Sequence, residues 1–150
     1  MLIRKAHLND LLLVMPLMEQ LGYPQDFDEF QKKFELYLND GHYGIAVAES
    51  EHKIVGLVAY VCYDLFVTSK KRFRIEGLIV DQAFRGKGVG KALMEYVENL
   101  AKEQGSSVID LTSGTRRKDS GSHIFYEKLK CTPKIRPLVK RVFSSKRIVK

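Results

Sequence analysis

Cysteine is scarce and long hydrophobic runs are absent from this 150-residue sequence. The two cysteines, Cys62 and Cys131, give neither a metal-ligand spacing nor a disulfide framework. The four histidines have no metal-ligand spacing either, so no metal site is predicted. The longest apolar run, residues 11–17, contains Pro16 and is far too short to span a bilayer. Because charges also interrupt the first ten residues, no signal peptide is predicted, and we expect a cytoplasmic protein without a membrane segment.

What the sequence does contain favours one folded domain over residues 1–150. Hydrophobic residues make up 45% of the chain, which is typical of a globule with a real core. Apolar spacing and turn residues predict the element order β-α-α-β-β-β-α-β-α-β, and this order is typical of a mixed α/β (α+β) sheet flanked by helices. The predicted helices cover about residues 10–20, 27–38, 88–104 and 122–129, and the predicted strands cover 1–4, 44–49, 54–63, 73–80 and 107–111, with one or two more in the last twenty residues.

The positive charge is concentrated at one end of the chain. Residues 116–150 contain twelve Lys/Arg and two acidic residues, whereas the whole chain has a formal net charge of +7. A basic segment of this kind indicates an anionic ligand or a solvated surface, and the sequence leaves both open. Phe143 is the only aromatic residue after Tyr126, so the segment has no stacking platform for nucleic acid. Nucleic acid is therefore not the expected partner.

The stretch AFRGKGVGKAL, residues 83–93, places three glycines and several cations at the start of a predicted helix. A helix start offers unpaired N–H groups and the positive end of the peptide dipoles. Glycines allow that backbone to approach a phosphate closely and to adopt positive φ. Arg85 and Lys87 add charge. The local physics therefore predicts a pyrophosphate site.

Two common nucleotide motifs do not fit this stretch. A Walker motif requires Ser or Thr after Gly-Lys, but Ala92 follows Lys91, and Arg85 occupies the place of its first glycine. The dinucleotide fingerprint requires G-x-G-x-x-G, whereas the last spacing here, from Gly88 to Gly90, is one residue short. The pyrophosphate would therefore belong to another class of ligand.

The segment IEGLIVDQAFRGKGVGKALMEYVENLAKEQG resembles the acetyl-CoA-binding segment of the GNAT superfamily of N-acetyltransferases. The signature Arg/Gln-x-x-Gly-x-Gly/Ala is met by Arg85, Gly88 and Gly90. A preceding apolar-Val-Asp step is present as IVD, and SHIFYEKL at residues 122–129 resembles a helix of the same family. The resemblance is specific at residues 75–105 and 122–129 and looser elsewhere in residues 1–145.

The resemblance implies a mixed, mostly antiparallel central sheet and transfer of an acetyl group from acetyl-CoA to a primary amine of a small molecule or peptide. The amine would attack the thioester directly in a ternary complex. The pantetheine arm is expected to pair, like an added strand, with backbone near Leu78 and Val80. The implied cofactor-binding residues are Leu78, Ile79, Val80, Arg85, Gly86, Lys87, Gly88, Val89, Gly90 and Lys91.

Two acid–base groups follow from this reaction. An amine with pKa near 10 is neutral about one part in a thousand at pH 7, which costs roughly 4 kcal/mol unless a base assists. Strand alternation places Glu76 on one face with Leu78 and Val80, and the resemblance implies that it takes the amine proton through water. The alternative is a carboxylate paired with Arg74 or Arg72. The backbone N–H of Leu78 could hold the developing oxyanion.

Tyr126 is the general acid that the resemblance implies. A tyrosine at this place in the family points its hydroxyl at the CoA sulfur, and a phenol with pKa about 10 keeps its proton at pH 7. The alternative is a helix tyrosine that packs beside Phe125. The loop before this helix is about two residues longer than usual, so Arg116 and Arg117 are both candidates for its contact to CoA.

Other functions and partners stay open at this stage. A CoA-binding regulator without catalysis, or a binding module that uses residues 116–150, is the alternative to an enzyme. The acceptor amine is not readable from the sequence, although the basic end disfavours a polycationic acceptor. A homodimer through the C-terminal strands is a further expectation.

Overall fold

A single sheet runs through the computed structural model of the chain, which describes residues 1–105, 107–111 and 139–141, with backbone alone at 107, 111 and 139–141. The predicted helix over residues 122–129 and the loop before it lie outside the described residues. Short 3-10 turns at Leu8–Asp10 and Gln82–Phe84 were not predicted. The strands and helices in chain order are β1 (Leu2–Lys5), α1 (Leu11–Leu21), α2 (Phe27–Asn39), β2 (Tyr43–Ser50), β3 (Lys53–Asp64), β4 (Lys71–Val80), α3 (Val89–Glu103), β5 (Ser107–Leu111) and β6 (Val139–Arg141).

The helix ends form where the sequence predicts them. The Asp26 carboxylate accepts a hydrogen bond from the Glu29 amide at 3.1 Å, as an N-cap residue does. Gly22 ends α1 in the left-handed conformation with φ of 91°, and Gly105 follows α3 with φ of 84°. Residues without a Cβ atom adopt this conformation without strain, so both stop signals have a local cause.

The sheet is mixed and mostly antiparallel, as predicted. Within the described residues its strands lie in the order β1-β2-β3-β4-β5-β6. The first three pairings are antiparallel, whereas β4 pairs with β5 and β5 with β6 in parallel. The parallel pairing of β4 with β5 requires a crossover connection, and α3 provides it. The turn that precedes α3 therefore lies at the carboxyl end of β4.

Each face of the sheet is covered by its own apolar cluster. Helix α3 covers one face through its buried side chains Val89, Leu93, Met94, Val97 and Ala101. Helices α1 and α2 cover the other face through Leu11, Val14, Leu17, Phe30 and Phe34. The carboxyl end of β4 lies between these layers, because Leu78 and Val80 pack with the α3 cluster and Ile79 with the other one.

Arg4 ties the edge strand β1 to its surroundings. Its guanidinium lies 2.8 Å from Asp10 Oδ2 and 2.8 Å from Glu49 Oε2. Asp10 is buried, and its hydrogen bond with Arg4 keeps the pKa of the carboxyl below its usual value. A buried carboxylate is tolerated because it is paired and hydrogen-bonded. The contact fixes the start of α1 against β1 and β2.

Glu98 is a buried acid on α3 that lacks such a partner. Its residue exposure is 3%, and Oε1 has no hydrogen-bond partner among the described atoms. Burial raises the pKa of the Glu98 carboxyl, and Lys102 offsets this only in part. Since the folded pKa is raised, the folded chain holds this proton at pH values where the unfolded chain has lost it. Ionised Glu98 therefore destabilises the fold as the pH rises, and this cost vanishes below the unfolded pKa of about 4.3.

The variant Glu98→Gln is expected to be more stable than the parent chain by about 1 kcal/mol at pH 8, because it removes an uncompensated buried charge. The gain should shrink toward pH 4, where the parent carboxyl is protonated. Urea unfolding at several pH values measures this. Glu103→Gln, at an exposed position of the same helix, is the matched control and should show no such pH-dependent gain, because Glu103 does not act on the Glu98 carboxyl. A gain independent of pH would contradict the assignment of the cost to ionised Glu98.

Candidate functional site

Two glycines shape the turn between β4 and α3. Gly86 has φ of 75° and Gly88 has φ of 83°. An L-residue with a Cβ atom is strained by about 1 kcal/mol in this conformation, so the turn requires glycine for its backbone path. Apart from the adjacent residues, no described atom lies within 4 Å of a Cβ built on either glycine. Within the described part of the chain, the space beside both glycines is therefore open to a ligand.

Among the described residues, no hydrogen-bond partner is found for the first amides of α3. Gly88 is the N-cap residue and provides no side-chain cap, and the first turn contains no acidic residue. The first intrahelical bond runs from the Ala92 amide to the Gly88 carbonyl at 3.0 Å. The amides of Val89, Gly90 and Lys91 precede it and add to the positive end of the helix dipole. This arrangement suits an anion such as a phosphate.

Three cationic side chains surround the turn, and each contacts the protein through one group. Arg85 Nε donates to the Val80 carbonyl at 3.2 Å. Lys87 Nζ lies 5.0 Å from the centre of the Phe84 ring. Lys91 Nζ lies 3.8 Å from Glu95 Oε1, one helical turn later. All three are exposed, so they give the mouth of the turn a positive field.

A side-chain brace connects the turn to α1. Asp81 Oδ1 accepts from the Ala83 amide at 2.8 Å and so caps the 3-10 turn. Gln20 Oε1 accepts from the Gln82 amide at 2.9 Å, and Gln20 Nε2 donates to Asp81 Oδ2 at 3.3 Å. This brace was not predicted from the sequence. Asp81 carries a local signal, since Asp favours such turns, but Gln20 is 61 residues away and carries none.

The edge of β4 loses its second partner halfway along the strand. β5 pairs with β4 from Lys71 to Ile75. Among the residues that the structure describes, positions 77–80 pair with β3 alone. The carboxyl half of β4 therefore presents one open backbone edge next to the turn between β4 and α3. An extended ligand could pair with this edge.

The antiparallel hydrogen bonds between β3 and β4 determine which N–H and C=O groups of β4 point to the open edge. The Asp81 amide donates to the Val55 carbonyl at 2.9 Å, which marks a hydrogen-bonded pair. Such pairs alternate along an antiparallel ladder, so Ile79 directs its N–H and C=O at β3. Leu78 and Val80 direct theirs at the open edge, where Arg85 already uses the Val80 carbonyl. Of the three strand residues predicted to bind a cofactor, Leu78 and Val80 have outward backbone groups.

A β-bulge changes the predicted orientation of Glu76. Ala59 pairs with Gly77 but Tyr60 pairs with Ile75, so Glu76 is the extra residue of β4. A bulge shifts the alternation of side chains by one residue. The prediction that Glu76 shares a face with Leu78 and Val80 is therefore wrong.

Glu76 instead lies on the face that carries α1 and α2. Its Oε1 lies 3.2 Å from Arg74 Nε, so the alternative of a pair with Arg74 is realised. Burial raises the pKa of the Tyr37 hydroxyl, and the nearby charge of Glu76 raises it further. The Tyr37 ring lies 4.6 Å from that of Tyr43, centre to centre. Glu76 thus lies between Arg74 on one side and Tyr37, which packs against Tyr43, on the other.

Several predicted site residues fall outside the described part of the chain. Tyr126 is one of them, as are Arg116 and Arg117. Among the residues that are described, no group of three or more His, Cys, Asp and Glu side chains is placed to hold a metal. No described helix combines the length and apolar character needed to cross a bilayer.

The sequence of this chain is similar to known acetyltransferases. The model of the Acetyltransferase (GNAT) family matches residues 11–130. Human N-acetyltransferase 8 is 38% identical over 79 residues, which are 53% of this chain and 35% of that protein. The matched part of the chain therefore spans about a third of the human relative. The uncharacterized N-acetyltransferase YhdJ of Bacillus subtilis is 25% identical over 111 residues, covering 74% of this chain and 76% of that protein.

Solved structures agree on the fold. Glucosamine-6-phosphate N-acetyltransferase from Arabidopsis thaliana superimposes with a TM-score of 0.73 at 27% identity, covering 98% of this chain and 97% of that one. A GNAT family acetyltransferase from Staphylococcus aureus gives 0.70 at 26% identity over 78% of this chain and 89% of that one. The family match covers most of the chain and includes the open strand edge and the glycine turn. The resemblance identified in the sequence is confirmed: this chain belongs to the Acetyltransferase (GNAT) family.

Proposed function

We propose that this chain transfers the acetyl group of acetyl-CoA to a primary amine of a small molecule or peptide, by direct attack in a ternary complex. One observation carries the proposal. The uncapped start of α3, reached through Gly86 and Gly88, lies directly beside the open edge of β4. In CoA, a diphosphate is joined to an extended arm that carries amide groups. On the protein, the start of α3 and the open edge of β4 lie next to each other, so the first could hold the diphosphate and the second the arm.

The residues of the turn suit the diphosphate of CoA. The amides of Val89, Gly90 and Lys91 would donate to it, with Arg85 and Lys87 supplying charge. The backbone groups of Leu78 and Val80 would pair with the pantetheine arm, as an added strand pairs with a sheet edge. Arg85 must release the Val80 carbonyl for that pairing. When bound, acetyl-CoA supplies an activated acetyl thioester.

Glu76 is the side chain best placed to accept the amine proton. It is exposed and lies two residues from Leu78, whose N–H points at the open edge. Unassisted deprotonation of an amine with pKa near 10 costs roughly 4 kcal/mol at pH 7, and a positioned base removes much of this cost. The Leu78 amide can donate to the thioester oxygen as charge develops there. Tyr126 is proposed as the proton donor to the departing thiolate.

The names of the relatives support nitrogen as the acceptor atom. Human N-acetyltransferase 8 and the Arabidopsis glucosamine-6-phosphate N-acetyltransferase are both named for transfer to nitrogen. The local chemistry agrees, because a carboxylate beside two tyrosines favours a protonated amine before reaction.

Gly88→Ala should weaken acetyl-CoA binding by at least about tenfold, because its Cβ would occupy the space that the diphosphate needs. Isothermal titration calorimetry with acetyl-CoA measures the loss. The substitution should also cost about 1 kcal/mol of folding free energy, because φ at this position is 83°.

Gly105→Ala is the matched control for this loss. Its φ of 84° is almost the same, but it lies at the other end of α3. It should lose similar stability and bind acetyl-CoA like the parent chain. Equal affinity losses in the two variants would show that strain, and not a blocked diphosphate site, causes the effect.

An acceptor screen with acetyl-CoA, reading released thiol, tests the reaction itself. Turnover should be found with at least one amine, and Glu76→Gln should lower kcat about a hundredfold, because the amide cannot accept the amine proton. Glu51→Gln, in the exposed β2–β3 turn, is the charge-matched control and should behave like the parent chain.

Tyr126→Phe tests the proton donor separately. It should lower kcat about tenfold or more and alter the basic limb of the pH–rate profile, because Phe cannot protonate a thiolate. An unchanged profile would remove Tyr126 from the mechanism. Binding of acetyl-CoA without turnover of any amine would instead favour a CoA-binding regulator.

A further inference from the structure

Three charged side chains of β4 line up on the sheet face that Glu76 occupies. Phe73 and Ile75 point into the cluster under α3, so Arg72 and Arg74 project from the opposite face. Glu76 joins them through its 3.2 Å contact with Arg74. The neighbouring strand β5 adds Asp110, which lies 3.3 Å from Arg72 Nε. Two guanidinium groups thus extend from the proposed base along one strand.

Neither guanidinium is saturated by its carboxylate. Each ion pair joins a carboxylate oxygen to Nε, and no hydrogen bond from an Nη nitrogen of Arg72 or Arg74 is found within the described chain. Arg72 Nε is itself buried without a hydrogen bond, despite its ion-pair distance to Asp110. The side chains of Arg72 and Arg74 are 38% and 46% exposed. Their forked donors therefore remain available to a ligand with two acceptor oxygens.

The ion pairs do not explain these arginines as stabilising groups. Pairs that are this exposed contribute little to folding, because water already solvates both partners. Nor do the arginines fill a core, since the apolar residues on either side do so. Ligand recognition gives both a role, and their place beside the proposed base assigns that ligand to the acceptor.

We infer that the acceptor is an amine that also carries an anionic group, a carboxylate or a phosphate. This inference rests on the proposed function and names its substrate class. The ammonium would face Glu76, and the anion would be held by Arg74, with Arg72 behind it. Residues two apart on a strand are separated by about 7 Å, so the anion lies only a few bonds from the nitrogen. Tyr37 and Tyr43 border the space for the carbon skeleton.

Matched pairs of amines test the inference. L-phenylalanine against 2-phenylethylamine differs by a carboxylate, and O-phosphoethanolamine against ethanolamine differs by a phosphate. With saturating acetyl-CoA and thiol readout, the anionic member of at least one pair should have a kcat/KM at least about tenfold higher. The pair that shows the preference identifies which anion the site takes.

Arg74→Gln should abolish this preference while leaving a lower, similar turnover of both members of the pair. Arg74→Lys should keep part of it, because the charge remains and the fork is lost. Lys5→Gln removes the same charge from β1, three strands away from β4 in the sheet, and should keep the full preference. If Arg74→Gln lowered kcat/KM equally for anionic and neutral amines, Arg74 would serve only to position Glu76, and the inference would be overturned.

The remaining outcomes separate this inference from the proposed function. If neutral amines were acetylated as well as their anionic counterparts by the parent chain, the inference would fail and the N-acetyltransferase would stand. If acetyl-CoA bound but no amine of either kind were acetylated, the proposed function would fail, and the inference with it.

Discussion

The site depends on one change in backbone pairing, at the middle of β4. Up to Ile75 this strand has a neighbour on each side, and from Gly77 onward the described chain gives it only β3. A sheet edge left unpaired normally invites aggregation, and proteins cover or use such edges. Here the edge leads through the turn to the start of α3, where no hydrogen bond from the amides of Val89, Gly90 or Lys91 is found among the described residues. The open strand edge and the helix start therefore offer donors and acceptors on either side of the turn, as an extended ligand with a phosphate at one end would require.

The bulge at Glu76 separates two tasks along the same strand. Without the extra residue, alternation would point Glu76 to the side of Leu78, under α3. With it, Glu76 turns toward α2 and the tyrosines, while Leu78 and Val80 remain packed against the α3 cluster. In the proposed reaction, backbone groups of β4 would serve one ligand at the open edge, and the Glu76 side chain would serve a second ligand from the face that carries α1 and α2. The two substrates would then meet without competing for one surface.

Local signals predicted much of this structure, and long-range contacts account for what they missed. Asp26, Gly22 and Gly105 mark helix ends because capping and positive φ act within a few residues. The glycine turn was predictable for the same reason. The bulge was not, because register is decided by how two strands fit together and not by the strand's own pattern. The brace from Gln20 to the turn was equally hidden, since its partners are about sixty residues away.

The Gln20 brace links the proposed acceptor surface to the turn proposed to hold the diphosphate. Gln20 lies in the last turn of α1, and the chain that leaves α1 enters α2, which carries Tyr37 beside Glu76. The amide that Gln20 accepts from belongs to the turn before α3. The helices that border the proposed acceptor surface are thus tied to the backbone that would hold the diphosphate. Because the proposed diphosphate surface is made of main chain and the proposed acceptor surface of side chains, we expect substitutions at Arg72, Arg74 or Tyr37 to change the acceptor while the cofactor surface keeps its shape.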